Sequence, residues 1–84
     1  MPPEQMELRV RMGFRERRFP QRGVVFITRL DPTFAYVRNE GHPHRRSRIE
    51  RRRLASSEFD LIGEMGTDRD LWPSWFREEV ADAS

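Results

Sequence analysis

The chain has 84 residues and no cysteine, and hydrophobic and charged residues each make up 36% of it. This composition excludes a disulfide framework and a thiolate metal site, and no apolar run approaches the roughly 18 residues of a membrane-spanning helix. One domain with a small core is expected. Since the sequence shows no charged-then-apolar leader, a cytoplasmic location is expected.

The net charge of +2 conceals a strong segregation of charge along the chain. Residues 8–53 hold fourteen Arg and four acidic residues, whereas residues 54–84 hold two Arg and eight acidic residues. A basic body followed by an acidic tail suggests a polyanionic partner, or a body that docks its own tail. Every basic residue is Arg, which suits bidentate contacts with phosphate; codon bias is the alternative explanation.

The first half of the chain predicts one strand and a long loop. Residues 1–5 are polar and predict a flexible N-terminus. From Met6 to Arg15 apolar and polar residues alternate, which predicts a strand with one buried face. Gly13 is expected to mark a bulge or bend in it. The loop 15–23 contains four Arg, and loops of this length often carry function.

The most apolar and β-branched run, 23–30, ends at the turn signal Asp31-Pro32-Thr33, and a second apolar run, 34–38, follows at once. Two antiparallel strands joined by this turn are predicted. The predicted pairs are Ile27 with Val37, Thr28 with Tyr36, Arg29 with Ala35 and Leu30 with Phe34. The inner face then carries Val25, Ile27, Ala35 and Val37, and the outer face carries Val24, Phe26, Leu30, Phe34 and Tyr36. We expect Leu8, Val10 and Ile49 to join the inner face in the core.

After this hairpin the charged residues become denser. Residues 39–44 contain glycine and proline and predict a turn. The segment 45–50 predicts a strand with Ile49 pointing inward, and 51–54 predicts one tight helical turn with Leu54 pointing inward. A basic helix of about ten residues is the alternative, but it would bury too little apolar surface to be held in place.

A fifth short strand is predicted over 58–64, which completes a β domain over 6–63. Residues 64–69 are predicted to form a linker. Apolar residues at helical spacing then predict a C-terminal helix over 70–82 that packs on the β domain. These residues are Trp72, Trp75, Phe76 and Val80.

Together these elements predict a mainly β fold, a small five-stranded SH3-like barrel with one C-terminal α-helix. The stretch 48–54, Arg-Ile-Glu-Arg-Arg-Arg-Leu, followed by Phe59-Asp60-Leu61-Ile62, resembles small SH3-like β-barrel proteins, including basic barrels encoded in actinobacterial and phage genomes. The resemblance covers roughly 6–63. It implies a fold and a habit of binding, and it implies no chemistry.

The basic residues predict a nucleic-acid surface, because neutralising phosphates needs massed positive charge. Phe19, Phe26 and Tyr36 are aromatic residues placed to stack on unpaired bases. We expect an accessory or regulatory factor that binds the backbone with little sequence preference. A solvated face paired with the chain's own acids is the alternative. The candidate residues are Arg17, Arg18, Phe19, Arg22, Arg45, Arg46, Arg48, Arg51, Arg52 and Arg53.

A second candidate site is the aromatic cluster Trp72, Trp75 and Phe76 of the predicted helix. We expect this helix to cover the outer aromatic face of the hairpin, because large exposed apolar patches are unusual. The alternative is a helix that enters a groove on a larger complex, such as RNA polymerase, a nuclease complex or a virion. The chain would then be a non-enzymatic interaction module.

Metal binding and catalysis have little support in the sequence. His42 and His44 flank a proline and have no obvious third ligand, so an exposed turn is favoured. No serine has a base and an orienting group at a recognisable spacing, and there is no Gly-rich phosphate loop. We expect a non-enzyme without metal or cofactor; the oligomeric state stays open.

Overall fold

The computed structural model describes residues 7–82, and in this range five strands form one antiparallel sheet with the spatial order β4-β3-β2-β1-β5. The strands are β1 Met12–Glu16, β2 Val24–Leu30, β3 Phe34–Asn39, β4 His42–Glu50 and β5 Phe59–Glu64. The helices are α1 Arg51–Leu54 and α2 Ser74–Asp82, with 3-10 helices at Pro20–Arg22 and Arg69–Leu71. The predicted mainly β fold with a C-terminal helix is confirmed. No helix in this range has the length and hydropathy to cross a bilayer. The predicted flexible segment 1–5 lies outside the described residues.

The predicted closure of the sheet into a barrel is wrong. Among the described residues, β4 pairs with β3 and β5 pairs with β1, so both are edge strands. Between them is a recess of about 530 Å³, lined by Ile49 of β4 and Phe59 of β5. Strand β4 carries Arg45 and Arg46, both exposed, and charged side chains on an edge strand disfavour further strand pairing.

The hydrophobic core lies on the inner face of the sheet. Ile27, Ala35 and Leu54 have no exposed surface, and Phe14 is 1% exposed. The residues predicted to lie inside are all in the core or packed against it: Leu8, Val10, Val25, Ile27, Ala35, Val37 and Ile49. The predicted helical turn with Leu54 inward is also confirmed, because α1 directly follows β4 and places Leu54 in the core.

The first strand is shorter than predicted. It begins at Met12, whereas the alternating pattern started it at Met6. The backbone reverses at Arg11, which has a left-handed φ of 90°, and the N–H of Met12 donates to the carbonyl of Arg9 at 3.2 Å. Leu8 is nevertheless buried. The alternating apolar residues are therefore buried on both sides of a turn and do not form one continuous strand.

The predicted register of the central hairpin is correct on one side of a β-bulge and wrong on the other. The observed pairs are Ile27 with Val37, Arg29 with Tyr36, and Leu30 with Ala35. Thr28 is the extra residue of the bulge; it is buried, and its Oγ1 donates to the carbonyl of Tyr36 at 3.2 Å. The shift brings Leu30 against the core and Arg29 to the outer face, the reverse of the prediction.

The turn before β4 is also shorter than predicted. His42 and His44, predicted to lie in a turn, belong to β4, although both are exposed. Asn39 accounts for the shorter turn. Its Oδ1 accepts a hydrogen bond from the N–H of Gly41 at 2.7 Å, so the chain has reversed its direction by Gly41.

The C-terminal helix begins four residues later than predicted. Helix α2 starts at Ser74, and a separate 3-10 helix, Arg69–Leu71, precedes it. Trp72 between them is extended, with a ψ of 145°. The cause is Pro73, because proline disfavours a helical conformation in the residue before it and has no N–H to continue a helix.

Candidate nucleic-acid interface

Cross-strand pairing places four Arg side chains together on the outer face of β2, β3 and β4. One row contains Arg29, Tyr36 and Arg48, and the next row contains Phe26, Arg38 and Arg46. Residues directly opposite each other in a sheet share a face. All of these residues except Phe26 line a cavity of about 570 Å³ that reaches α2. We call this cavity the arginine groove and define it by Arg29, Tyr36, Arg38, Arg46, Arg48 and Glu79.

Two of the four Arg lie over aromatic rings. The guanidinium carbon of Arg29 is 4.2 Å from the centroid of the Tyr36 ring, and that of Arg48 is 4.4 Å from the centroid of Phe34. Both Arg are exposed, whereas both rings are half-buried. A cation over a ring is attracted by about 0.5–1 kcal/mol at exposed sites. The contacts therefore hold the two charged groups against the sheet.

Arg38 behaves differently, because it is 8% exposed and joins the sheet to the C-terminal helix. Its Nη2 donates to Oε2 of Glu79 at 2.8 Å, and its Nη1 donates to the carbonyl of Pro43. Its Nε is buried without a hydrogen-bond partner. Arg38 thus stands at one end of the groove with its charge balanced by the helix.

Acidic residues of the C-terminal third neutralise a defined part of the basic body. The pairs are Arg53 with Glu58, Arg17 with Asp60, Arg9 and Arg11 with Glu64, and Arg38 with Glu79. The hydrogen bond from Arg17 holds the pKa of Asp60 below its ordinary value, and the one from Arg9 does the same for Glu64. Within residues 7–80, whose side chains the structure describes, no carboxylate lies at ion-pair distance from Arg29, Arg46 or Arg48.

The structure does not bring the ten predicted nucleic-acid residues to one face. Arg46 and Arg48 line the arginine groove. On the other side of the sheet, Arg22, Arg45 and Arg53 border the recess between the edge strands. This division follows from the alternation along β4, where successive side chains point to opposite faces.

The remaining predicted residues occupy the first loop and the end of the hairpin. Arg17, Arg18 and Phe19 line a small recess with Glu58. Phe19 is 38% exposed. Arg51 and Arg52 line a recess at the β2–β3 turn, and Nη1 of Arg51 donates to the carbonyl of Asp31 at 2.9 Å. Arg51 therefore supports the turn.

The C-terminal aromatic cluster packs against the sheet through Phe26. The centroid of the Phe26 ring is 6.5 Å from that of Trp75 and 6.4 Å from that of Phe76. Trp72 and Phe76 are buried, at 8% and 0% exposed, and Nε1 of Trp72 donates to the carbonyl of Gly66 at 2.7 Å. Phe34, further along the outer face, carries Arg48 over its ring.

Two groove residues, Arg29 and Arg38, were missed by the sequence prediction of the site. Arg38 follows Tyr36 by two positions in the same strand, so the period of a strand was a signal that they share a face. Arg29 had no such signal, because the bulge at Thr28 decides which way it points.

No protein-family model, curated protein or solved structure matches this chain. In the part of the chain that the structure describes, no group of three or more His, Asp or Glu is placed to hold a metal ion.

Proposed function

We propose that this protein binds nucleic acid through the phosphate backbone, with little sequence preference, and that the arginine groove is the binding surface. The observation that carries the proposal is the arrangement of Arg29, Arg46 and Arg48, three exposed groups on one face with no described carboxylate at ion-pair distance. Placing a polyanion against them releases its condensed counterions, which drives backbone binding.

The proposed role is that of an accessory or regulatory factor in the cytoplasm, without catalysis. The strand order and the helical turn between β4 and β5 support the further proposal that the sheet is an SH3-like barrel left open. Such a relationship concerns the fold and a habit of binding, so it adds no chemistry. The burial of Trp72 and Phe76 weakens the alternative of a partner-inserting helix, because two of its three anchors are occupied within the chain.

The test compares a groove variant with a variant of paired Arg residues. We expect Arg29→Gln, Arg46→Gln and Arg48→Gln together to weaken binding to fluorescent oligonucleotides of every sequence. The slope of log affinity against log salt should flatten by about 2, because each lost contact with a single strand removes about 0.7. The control carries Arg17→Gln, Arg22→Gln and Arg53→Gln, which removes equal charge from residues already paired with Asp60, Glu16 and Glu58.

The control is expected to retain most of the affinity and the slope of the parent. Equal losses in both triple variants would show that net charge governs binding, and the groove would be rejected. Failure of the parent to bind any oligonucleotide at about 50 mM salt, where electrostatic binding is strong, would reject nucleic-acid binding itself.

A further inference from the structure

We infer that the arginine groove selects single-stranded nucleic acid and that Arg29 and Arg48 stack on its unpaired bases through their guanidinium planes. This inference rests on the proposed function and names the class of nucleic acid that the same site takes. It assigns different tasks to the groove residues. All three exposed Arg supply positive charge to the phosphate backbone, and Arg29 and Arg48 also stack on bases.

The layering of the two Arg on their rings supports this assignment. Tyr36 and Phe34 are half-buried, and a guanidinium lies over each at 4.2 Å and 4.4 Å from the ring centroid. A base approaching from solvent therefore meets the guanidinium before the ring. The guanidinium is planar, delocalised and weakly hydrated, and bases stack on it in single-stranded recognition.

The platforms are held in place before any ligand arrives. The hydroxyl of Tyr36 donates to Oδ2 of Asp31 at 2.6 Å, which fixes the ring beneath Arg29. Phe34 follows the same turn, and its N–H donates to Oδ1 of Asp31 at 2.5 Å. One carboxylate thus anchors the residues that support both guanidinium groups, so less side-chain freedom is lost on binding.

The spacing of the platforms suits two nucleotides of one strand. Arg29 and Arg48 extend from β2 and β4 over Tyr36 and Phe34, which are two residues apart on β3, so the two platforms are about 7 Å apart along that strand. The two groups therefore lie side by side on one face, where each can take its own base. In a duplex the base faces are stacked on one another, so these Arg could contact phosphates and base edges but could not stack on the bases.

Replacement of each Arg by Lys separates stacking from charge. The Arg29→Lys, Arg48→Lys double variant keeps both positive charges but loses both planes. Its matched control is Arg45→Lys, on the same edge strand but outside the groove. The probes are a labelled single-stranded 12-mer, its duplex, an abasic strand of equal length, and inorganic polyphosphate; the strand is tested as DNA and as RNA. Thermal melting of each variant checks that it is folded.

We expect the double Lys variant to lose about tenfold or more in affinity for the single strand, the order of one base stack. Its affinity for the abasic strand and for polyphosphate should stay within about twofold of the parent, and Arg45→Lys should match the parent throughout.

Two results would overturn the inference and leave the proposed function standing. One is a double Lys variant that binds the single strand as tightly as the parent does. The other is a parent that binds the duplex or the abasic strand as tightly as the single strand. A parent that binds none of the oligonucleotides would overturn the proposed function as well.

Discussion

At Gly13 the absence of a side chain determines how the C-terminal helix is seated. Gly13 pairs with Phe26 across β1 and β2, and a Cβ at this position would lie 2.6 Å from Cε1 of the Phe26 ring. The same ring contacts Trp75 and Phe76 of α2. Gly13 thus leaves the space in which Phe26 packs between the sheet and the helix.

We therefore expect Gly13→Ala to lower the free energy of unfolding by about 1–3 kcal/mol, the range for overpacking a filled site. Urea denaturation followed by the fluorescence of Trp72 and Trp75 measures the loss. Gly63→Ala is the matched control, because Gly63 is the partner of Gly13 in β5 and has nothing within 4 Å of a Cβ. Equal stability of the two variants would mean that the Phe26 ring does not pack against β1, and that Gly13 does not provide its space beneath the helix.

At the scale of elements, the turn between β2 and β3 depends on one carboxylate. Oδ1 of Asp31 accepts hydrogen bonds from the N–H groups of Thr33 and Phe34, at 2.8 and 2.5 Å, and Oδ2 accepts from the Tyr36 hydroxyl. These hydrogen bonds, with that of Tyr36 the largest cause, hold the pKa of Asp31 below its ordinary value. The ionised carboxylate therefore stabilises both the turn and the groove wall.

A lowered folded pKa means that this stabilisation is complete above the unfolded pKa, near 3.9, and is lost as pH falls through the folded pKa. We expect Asp31→Asn to lower the Tm at pH 7, and the gap from the parent to narrow as the pH falls below about 4. Asp60 and Glu64, whose pKa values are also lowered, are present in both proteins, so the gap isolates Asp31.

Tyr36→Phe provides an independent check on the cause. Without the hydroxyl, the pKa of Asp31 should rise toward its ordinary value in an NMR titration of the side-chain carboxyl. A pH-independent gap between Asp31→Asn and the parent, or an Asp31 pKa unmoved by Tyr36→Phe, would contradict the assigned role.

The elements that the sequence predicts are those with a complete local pattern. The strands of the central hairpin are β-branched runs beside a turn signal, and α1 follows a strand whose Ile49 already points inward. The bulge at Thr28 has no local pattern, because both registers pair Ile27 with Val37 and differ in the burial of Leu30. Likewise a turn at Arg11 leaves the apolar alternation unchanged.

The same distinction applies to the site. The density of Arg along β4 is visible in the sequence, so Arg46 and Arg48 were predicted. Arg17 was predicted as well, yet it is paired with Asp60, 43 positions away, and a contact at that separation depends on how the sheet folds. Charge counts therefore locate the basic segment, whereas tertiary pairing determines which charges stay available to a ligand.

At the scale of the whole molecule, the acidic C-terminal third covers one part of the basic body and leaves another open. Its carboxylates reach the residues before β1, the first loop and β3, through Glu64, Asp60 and Glu79. The groove retains four Arg and, among the described residues that line it, one acid, Glu79. The helix therefore sets the electrostatic strength of the groove as well as covering Phe26.

Glu79→Gln is expected to raise oligonucleotide affinity several-fold at about 50 mM salt, since the acid that repels phosphate is removed, and the gain should shrink as salt screens the groove. Stability should fall in the same variant, because Arg38 is buried and loses its carboxylate partner.

Glu58→Gln is the control: it removes an equal charge, also paired with an Arg at 2.8 Å, away from the groove. Anisotropy titrations over a salt series compare the two variants. An equal gain in both would mean that net charge alone governs binding, and a gain confined to Glu79→Gln places the helix at the mouth of the binding site.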